Sequence, residues 1–168
     1  MPRECYLGAA RIFFTMCTFE RNAYFSESAR AEQVRRQLLQ TACDYDVEFI
    51  AYVLMPDHVH ALTSGLTDGA DNRKWADRFR QISAFHFGRA YESTLWQEGY
   101  FDRVLRDDEA TLDVVRYIVL NPVRAGLGPR AIDYLYLGSS RYDIAELLTA
   151  TDWRPDARLK PSRYIPPR

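Results

Sequence analysis

A chain of 168 residues holds one domain with a core of its own and is too short for two ordinary ones. Hydrophobic residues at 47% exclude a disordered chain. A net charge of -1 excludes a protein that coats nucleic acid indiscriminately, so any nucleic-acid site must rest on local clusters of Lys and Arg offset by acid elsewhere.

The first apolar segment, Arg11 to Phe19, is rich in aromatics and Thr and reads as a strand. Residues 21–25 read as a loop. Ser26 is placed to cap a helix running to about Cys43, with Ala29, Val34, Leu38 and Ala42 near one face. Asp46 to Leu54 is a second strand, and Met55-Pro56-Asp57 is a turn signal. His58 to Thr63 follows as a third strand, so the two form a hairpin. After a Gly- and Asp-containing loop, Arg73 to about Tyr91 has helical spacing in Trp75, Phe79, Ile82 and Phe85. Trp96 to Leu105 is the fourth strand. Asp107 and Asp108 open a last long helix, which Pro122 is expected to end at Asn121.

This order predicts an α+β fold: a ferredoxin-like β-α-β-β-α-β sandwich with an antiparallel sheet, followed by a C-terminal helix and tail. The domain boundary is placed at 1–127, with 128–168 as an extension packing on or near the same domain. Within that extension, residues 134–137 suggest a short extended piece and 143–150 a short helix. Cys5, Cys17 and Cys43 form no CxxC pair, which fits a reducing compartment. No apolar run reaches the roughly 20 residues that cross a bilayer, and no secretion signal opens the chain. The expected location is the cytoplasm, with no membrane partner.

Two of the three histidines form His58-Val59-His60. On a strand, residues two apart share a face, with Cα atoms roughly 7 Å apart. Their imidazoles can converge on one ion, or can simply occupy a half-exposed strand. Imidazole suits Mn²⁺, Zn²⁺ and Fe²⁺; Mg²⁺ prefers oxygen. On the last helix, Leu112, Val115 and Val119 are the packing face. Asp113, Tyr117 and Asn121 lie four apart and make a separate polar stripe. Tyr117 on such a stripe can present its hydroxyl to a substrate, and Asn121 can offer an amide oxygen to a metal. The same residues also fit a surface tyrosine and a helix-ending Asn. A phenol with a pKa near 10 becomes a useful nucleophile toward a phosphodiester when a cation steadies the charge.

Three segments carry a family resemblance. Tyr52 to His60 resembles the HUH motif region of single-tyrosine transposases. Trp96 to Arg106 resembles the strand leading to their catalytic helix. Tyr117 to Leu127 resembles the tyrosine segment of the REP-associated tyrosine transposases. The likeness spans about Phe13 to Leu127. It implies an enzyme, a metal-dependent single-stranded DNA endonuclease and strand-transferase. Tyr117 would form a 5′-phosphotyrosine link, and His58, His60 and Asn121 would bind Mg²⁺ or Mn²⁺. The implied partners are single-stranded DNA and REP-type palindromic hairpins. The resemblance to the REP-associated branch implies a monomer, with a dimer as the alternative, since many relatives of the insertion-sequence branch, which carry Gln at the Asn121 position, dimerise.

Candidate phosphate contacts are Arg73, Lys74, Arg78 and Arg80 on the second helix, Arg103 and Arg106 at the fourth strand, and Arg116 and Arg124 around Tyr117. Arg154, Arg158, Lys160, Arg163 and Arg168 add charge in the tail. The competing readings are a catalytically silent hairpin-binding protein derived from a transposase, a replication initiator or relaxase, and a Zn²⁺-dependent hydrolytic nuclease.

Overall fold

The computed structural model describes residues 2–106 and 108–150. The expectations for Asp107, and for the tail with Arg154, Arg158, Lys160, Arg163 and Arg168, lie outside the described residues.

The elements follow the order β1 (Arg11–Cys17), α1 (Ser28–Asp44), β2 (Val47–Met55), β3 (His58–Gly65), α2 (Asn72–Tyr91), β4 (Phe101–Leu105), α3 (Asp108–Arg124), β5 (Leu137–Gly138) and α4 (Ile144–Ala150). The sheet order is β4-β1-β3-β2-β5, and every pairing is antiparallel. The first four strands and two helices make the expected ferredoxin-like arrangement.

Alternation along the strands sorts side chains into two cores. Ile12, Phe14, Met16, Leu54 and Val59 face α1 and α2, where Trp75 and Phe79 meet them. Phe13, Val53, Met55 and Leu62 face α3 and meet Val115, Ile118 and Val119. The bulge between Phe49 and Ala51 shifts the phase of β2 by one residue. Phe49 and Tyr52 therefore both join the first core, while Ile50 and Ala51 join the second. β5 pairs with β2, and Leu147 and Leu148 of α4 sit in the second core. Between α3 and Ala150 the described chain thus packs on the same sheet as the rest. Among the described residues, Cys5, Cys17 and Cys43 are all free thiols. No described helix is long and apolar enough to cross a membrane.

The structure departs from the expected boundaries at identifiable places. Ser26 closes a 3₁₀ turn, and Glu27 occupies the N-cap of α1 without a capping bond, its carboxylate pairing with Arg30 instead. Ala31, not the exposed Ala29, fills the buried position. Phe85 is 59% exposed, because the buried face of α2 runs through Ser83 and Phe87. Asp71 caps that helix by accepting from the Lys74 amide. Gly99, at φ 70°, turns the chain so that β4 begins only at Phe101. Leu112 lies at the exposed side of α3.

Pro122 does not end α3. The helix runs on to Arg124, since a proline close to a C-terminus removes only one backbone bond. The stop comes from Gly126, at φ 70°. Its amide bonds to the Val123 carbonyl at 3.1 Å, and the Leu127 amide bonds to the Pro122 carbonyl at 2.9 Å. This is a Schellman cap. Gly126→Ala is expected to lower stability by about 1 kcal/mol, read as a lower urea midpoint at unchanged slope. An unchanged midpoint would mean the cap contributes nothing.

Candidate active site

His58 and His60 alternate with Val59, which is buried toward α1 and α2. The two imidazoles therefore share the opposite face, under α3. Antiparallel pairing sets Cys17 beside His58 and Thr15 beside His60. The hydroxyl of Thr15 lies 2.9 Å from His60 Nδ1, and Asp57 Oδ1 lies 2.6 Å from His58 Nδ1. A carboxylate can only accept, so in neutral His58 the proton sits on Nδ1 and the lone pair on Nε2. The Thr15 hydroxyl can accept from His60 Nδ1, which leaves a lone pair on Nε2, or donate to it, which leaves a proton on Nε2 that bonds to His58 Nε2.

The two Nε2 atoms face each other at 3.0 Å. In the tautomer with both lone pairs inward, the pair is repulsive alone and becomes favourable around a cation. Two nitrogens bound to one ion at roughly 2.1 Å lie at about this separation when they occupy adjacent positions. Burial pushes the pKa of the His60 imidazole well down, and the charge of Arg21, with that of His58 whenever it is protonated, acts in the same direction. Among the described residues no group of three His, Cys, Asp or Glu could hold an ion. The donors present are thus two imidazoles, plus whatever an amide or a substrate oxygen adds, and they suit a first-row divalent ion.

Tyr117 reaches this point from α3. Its hydroxyl lies 3.2 Å from His60 Nε2, and its ring stands edge-on to Phe13 and His60. Burial raises its pKa. A hydrogen bond from the Asn121 side chain and the charges of Arg124 and Arg21 act the other way. A bond that favours the phenolate is one in which the Asn121 amide N–H donates, which leaves the amide oxygen for another partner. Asn121 sits one turn beyond Tyr117 on the same face, so the helix period brings both to the cleft.

The cleft has a volume of about 710 Å³ and is lined by His58, His60, Tyr117 and Asn121 together with Thr15, Cys17, Arg21 and residues 97–101. None of the eight Arg and Lys residues singled out as phosphate contacts lines it. Arg73, Lys74, Arg78 and Arg80 lie on α2, across the sheet. Arg80 bonds to the Gln97 carbonyl at 2.6 Å and lies over the Tyr100 ring, which ties α2 to the cleft rim. Arg103 and Arg106 are exposed on or after β4, and Arg116 and Arg124 are half-buried on α3. Of the eight, Arg124 acts electrostatically on Tyr117.

Sequence reasoning missed Thr15, Arg21 and the orienting role of Asp57. Thr15 could be found only from the β1–β3 register. Asp57 stood in plain view as the residue before His58, but reads as a turn former. Its carboxylate is held ionised below the usual range by the His58 bond and by Arg21. Asp57→Asn is expected to lower the affinity of the histidine pair for a divalent ion about 10- to 100-fold, because an amide can present the wrong group to Nδ1. The check is a calorimetric Mn²⁺ titration of the two chains; an unchanged curve would remove Asp57 from the site.

Comparison with known proteins gives the family. Residues 9–121, which include both histidines, Tyr117 and Asn121, match the family model described as Transposase IS200 like. The chain is 25% identical over 154 residues to the REP-associated tyrosine transposase of Escherichia coli (strain K12), covering 92% of this chain and 90% of that protein. It is 27% identical over 174 residues to a protein of Haemophilus influenzae (strain ATCC 51907 / DSM 11121 / KW20 / Rd) provisionally given the same name, covering 94% and 96%. A solved structure of a REP-associated tyrosine transposase bound to a REP hairpin shares the fold, with a TM-score of 0.72, 21% identity and 96% of both chains covered. The chain belongs to the IS200-like transposase family.

Proposed function

We propose that this protein is a metal-dependent single-stranded DNA endonuclease and strand-transferase that acts on REP-type palindromic hairpins through a 5′-phosphotyrosine intermediate. The observation that carries the reading is the meeting of the Tyr117 hydroxyl with two imidazole nitrogens: 3.2 Å to His60, and 3.0 Å between His60 and His58. The relatives named as REP-associated tyrosine transposases, one of them bound to a REP hairpin, support the substrate class.

His58 and His60 would hold Mg²⁺ or Mn²⁺, with the Asn121 amide oxygen as a further donor. When bound, such an ion polarises a phosphate oxygen and offsets charge developing on it. The protein's own residues do the rest. Asp57 and Thr15 fix the imidazole rings. Asn121, Arg21 and Arg124 favour the phenolate that burial opposes. The packed ring of Tyr117 holds its oxygen in place. That oxygen bonds to phosphorus as the bond to the 3′ oxygen breaks. Tyr117 gives up its proton and the 3′ oxygen gains one, leaving a phosphotyrosine ester and a free 3′ hydroxyl. The ester keeps the bond energy, so a second 3′ hydroxyl can reverse the step and rejoin strands.

The test is labelled single-stranded DNA carrying a hairpin, incubated with the full chain with and without Mn²⁺ and run on a denaturing protein gel. A labelled band at protein mass that needs Mn²⁺ is the expected result. Binding of hairpins without any such band would instead identify a catalytically silent hairpin-binding protein.

A further inference from the structure

We infer that Arg21 is the residue that grips the scissile phosphate, an assignment that rests on the reading of Tyr117 as nucleophile. Among the described residues lining the cleft, Arg21 supplies the only Lys or Arg side chain. The substrate's reacting group is an anion, and Glu98 on the same rim contributes a negative charge. Beside any ion held by the two imidazoles, Arg21 is the side-chain cation that lines the cleft and can attract a phosphate.

Its backbone is held for the task. Glu20 and Arg21 have φ values of 51° and 57°, two consecutive residues in the left-handed region, with neither a glycine nor an asparagine. Such conformations persist only where the surroundings impose them, and they cluster at functional sites. Here the surroundings are on the page. The buried Thr18 hydroxyl bonds to the carbonyls of Asn22 and Asp57, the Thr18 amide bonds to Asp57 and the Phe25 amide to Pro56. The loop that carries Arg21 is thus riveted to the turn that leads into His58.

The side chain is poised rather than used up. Its Nε lies 2.9 Å from Asp57 Oδ2 and its Nη1 donates to Cys17 Sγ at 2.8 Å. A thiol is a weak acceptor, and a guanidinium has five N–H donors in a planar fork. The Asp57 bond fixes the plane of that fork, while other donors stay available to a phosphate entering the cleft. Asp57 then serves both neighbours, orienting His58 with one oxygen and Arg21 with the other. The charge of Arg21 also reaches Tyr117 and favours its phenolate.

The experiment uses the full chain with Tyr117→Phe, which removes chemistry, with and without Arg21→Gln or Arg21→Lys. The ligands are hairpin DNAs with a single-stranded extension and a matched hairpin without one. A panel of extended DNAs each carries one neutral methylphosphonate in place of one phosphate. Arg21→Gln is expected to weaken binding of the extended DNA about tenfold and to leave the bare hairpin unchanged. Arg21→Lys, which keeps the charge, recovers part of the loss. The Arg21→Gln penalty disappears with a methylphosphonate at one position only, and that position is the one cut by the chain with Tyr117 intact. Equal penalties at every position, no penalty at all, or a sensitive phosphate away from the cut would each overturn the assignment. Absence of a covalent adduct in the Tyr117-intact chain sinks the underlying reading instead, and is scored separately from binding.

Discussion

Tyr117→Phe is expected to abolish the covalent protein–DNA adduct while hairpin binding and the fold persist. The substitution removes one oxygen. The ring remains against Phe13 and His60, at centroid distances of 6.2 and 5.1 Å. What is lost from stability is a hydroxyl with a 3.2 Å bond to His60, a net contribution of about 1 kcal/mol. What is lost from chemistry is the atom that would bond to phosphorus; among the described residues lining the cleft the other phenol, Tyr100, donates to Asp77 of α2 at 2.9 Å. Adduct yield on a denaturing gel, alongside a urea melt, separates the two effects. An undiminished adduct with a normal melt would rule out Tyr117 as nucleophile.

His60→Ala and His58→Ala are each expected to slow adduct formation about a thousandfold, because an ion held by one imidazole loses the two-point grip that places it against the phosphate. Their stability effects should differ. His60 is 1% exposed, stacked on Phe13 at 5.3 Å and bonded to Thr15, so its truncation leaves a cavity costing about 3 kcal/mol. His58 lies at the cleft with a side chain 13% exposed, and its loss should cost about 1 kcal/mol. Adduct rates across a Mn²⁺ titration, with a urea melt of each variant, check this. Normal rates in His58→Ala, the better-folded variant, would remove the metal from the mechanism.

The parts of the site that lie close together in the sequence were legible before any coordinates. His58 and His60 share a face because strands alternate, and Tyr117 and Asn121 share one because helices turn every 3.6 residues. That β3 and α3 face each other was not visible in either period; it came with the family resemblance, and the structure supplies the distance. Thr15 and Arg21 were illegible for the same reason. Thr15 matters through its register against His60, and Arg21 through a loop held by tertiary hydrogen bonds from Thr18 and Phe25. The fold is readable in its element order, yet helical spacing counts Phe85 in the apolar series of the second helix, and Pro122 stands at a helix end. A period of three and four fits Phe85 as well as Phe87, and only packing chooses between them. Pro122 was weighed by its missing amide, whereas the left-handed turn at Gly126 sets the stop. The eight basic residues proposed as phosphate contacts were chosen by clustering, and clustering on α2 places four of them across the sheet from the cleft.

The most direct measurement is the mass of the peptide that carries the nucleotide. After reaction with single-stranded hairpin DNA in Mn²⁺ and digestion by nuclease, trypsin cuts after Arg116 and Arg124 and releases residues Tyr117 to Arg124, with a single tyrosine. This peptide is expected to gain the mass of a nucleotide joined through phosphate, with fragmentation placing it on Tyr117. A nucleotide found on any other peptide, or cleaved DNA with every peptide unmodified, would contradict the assignment.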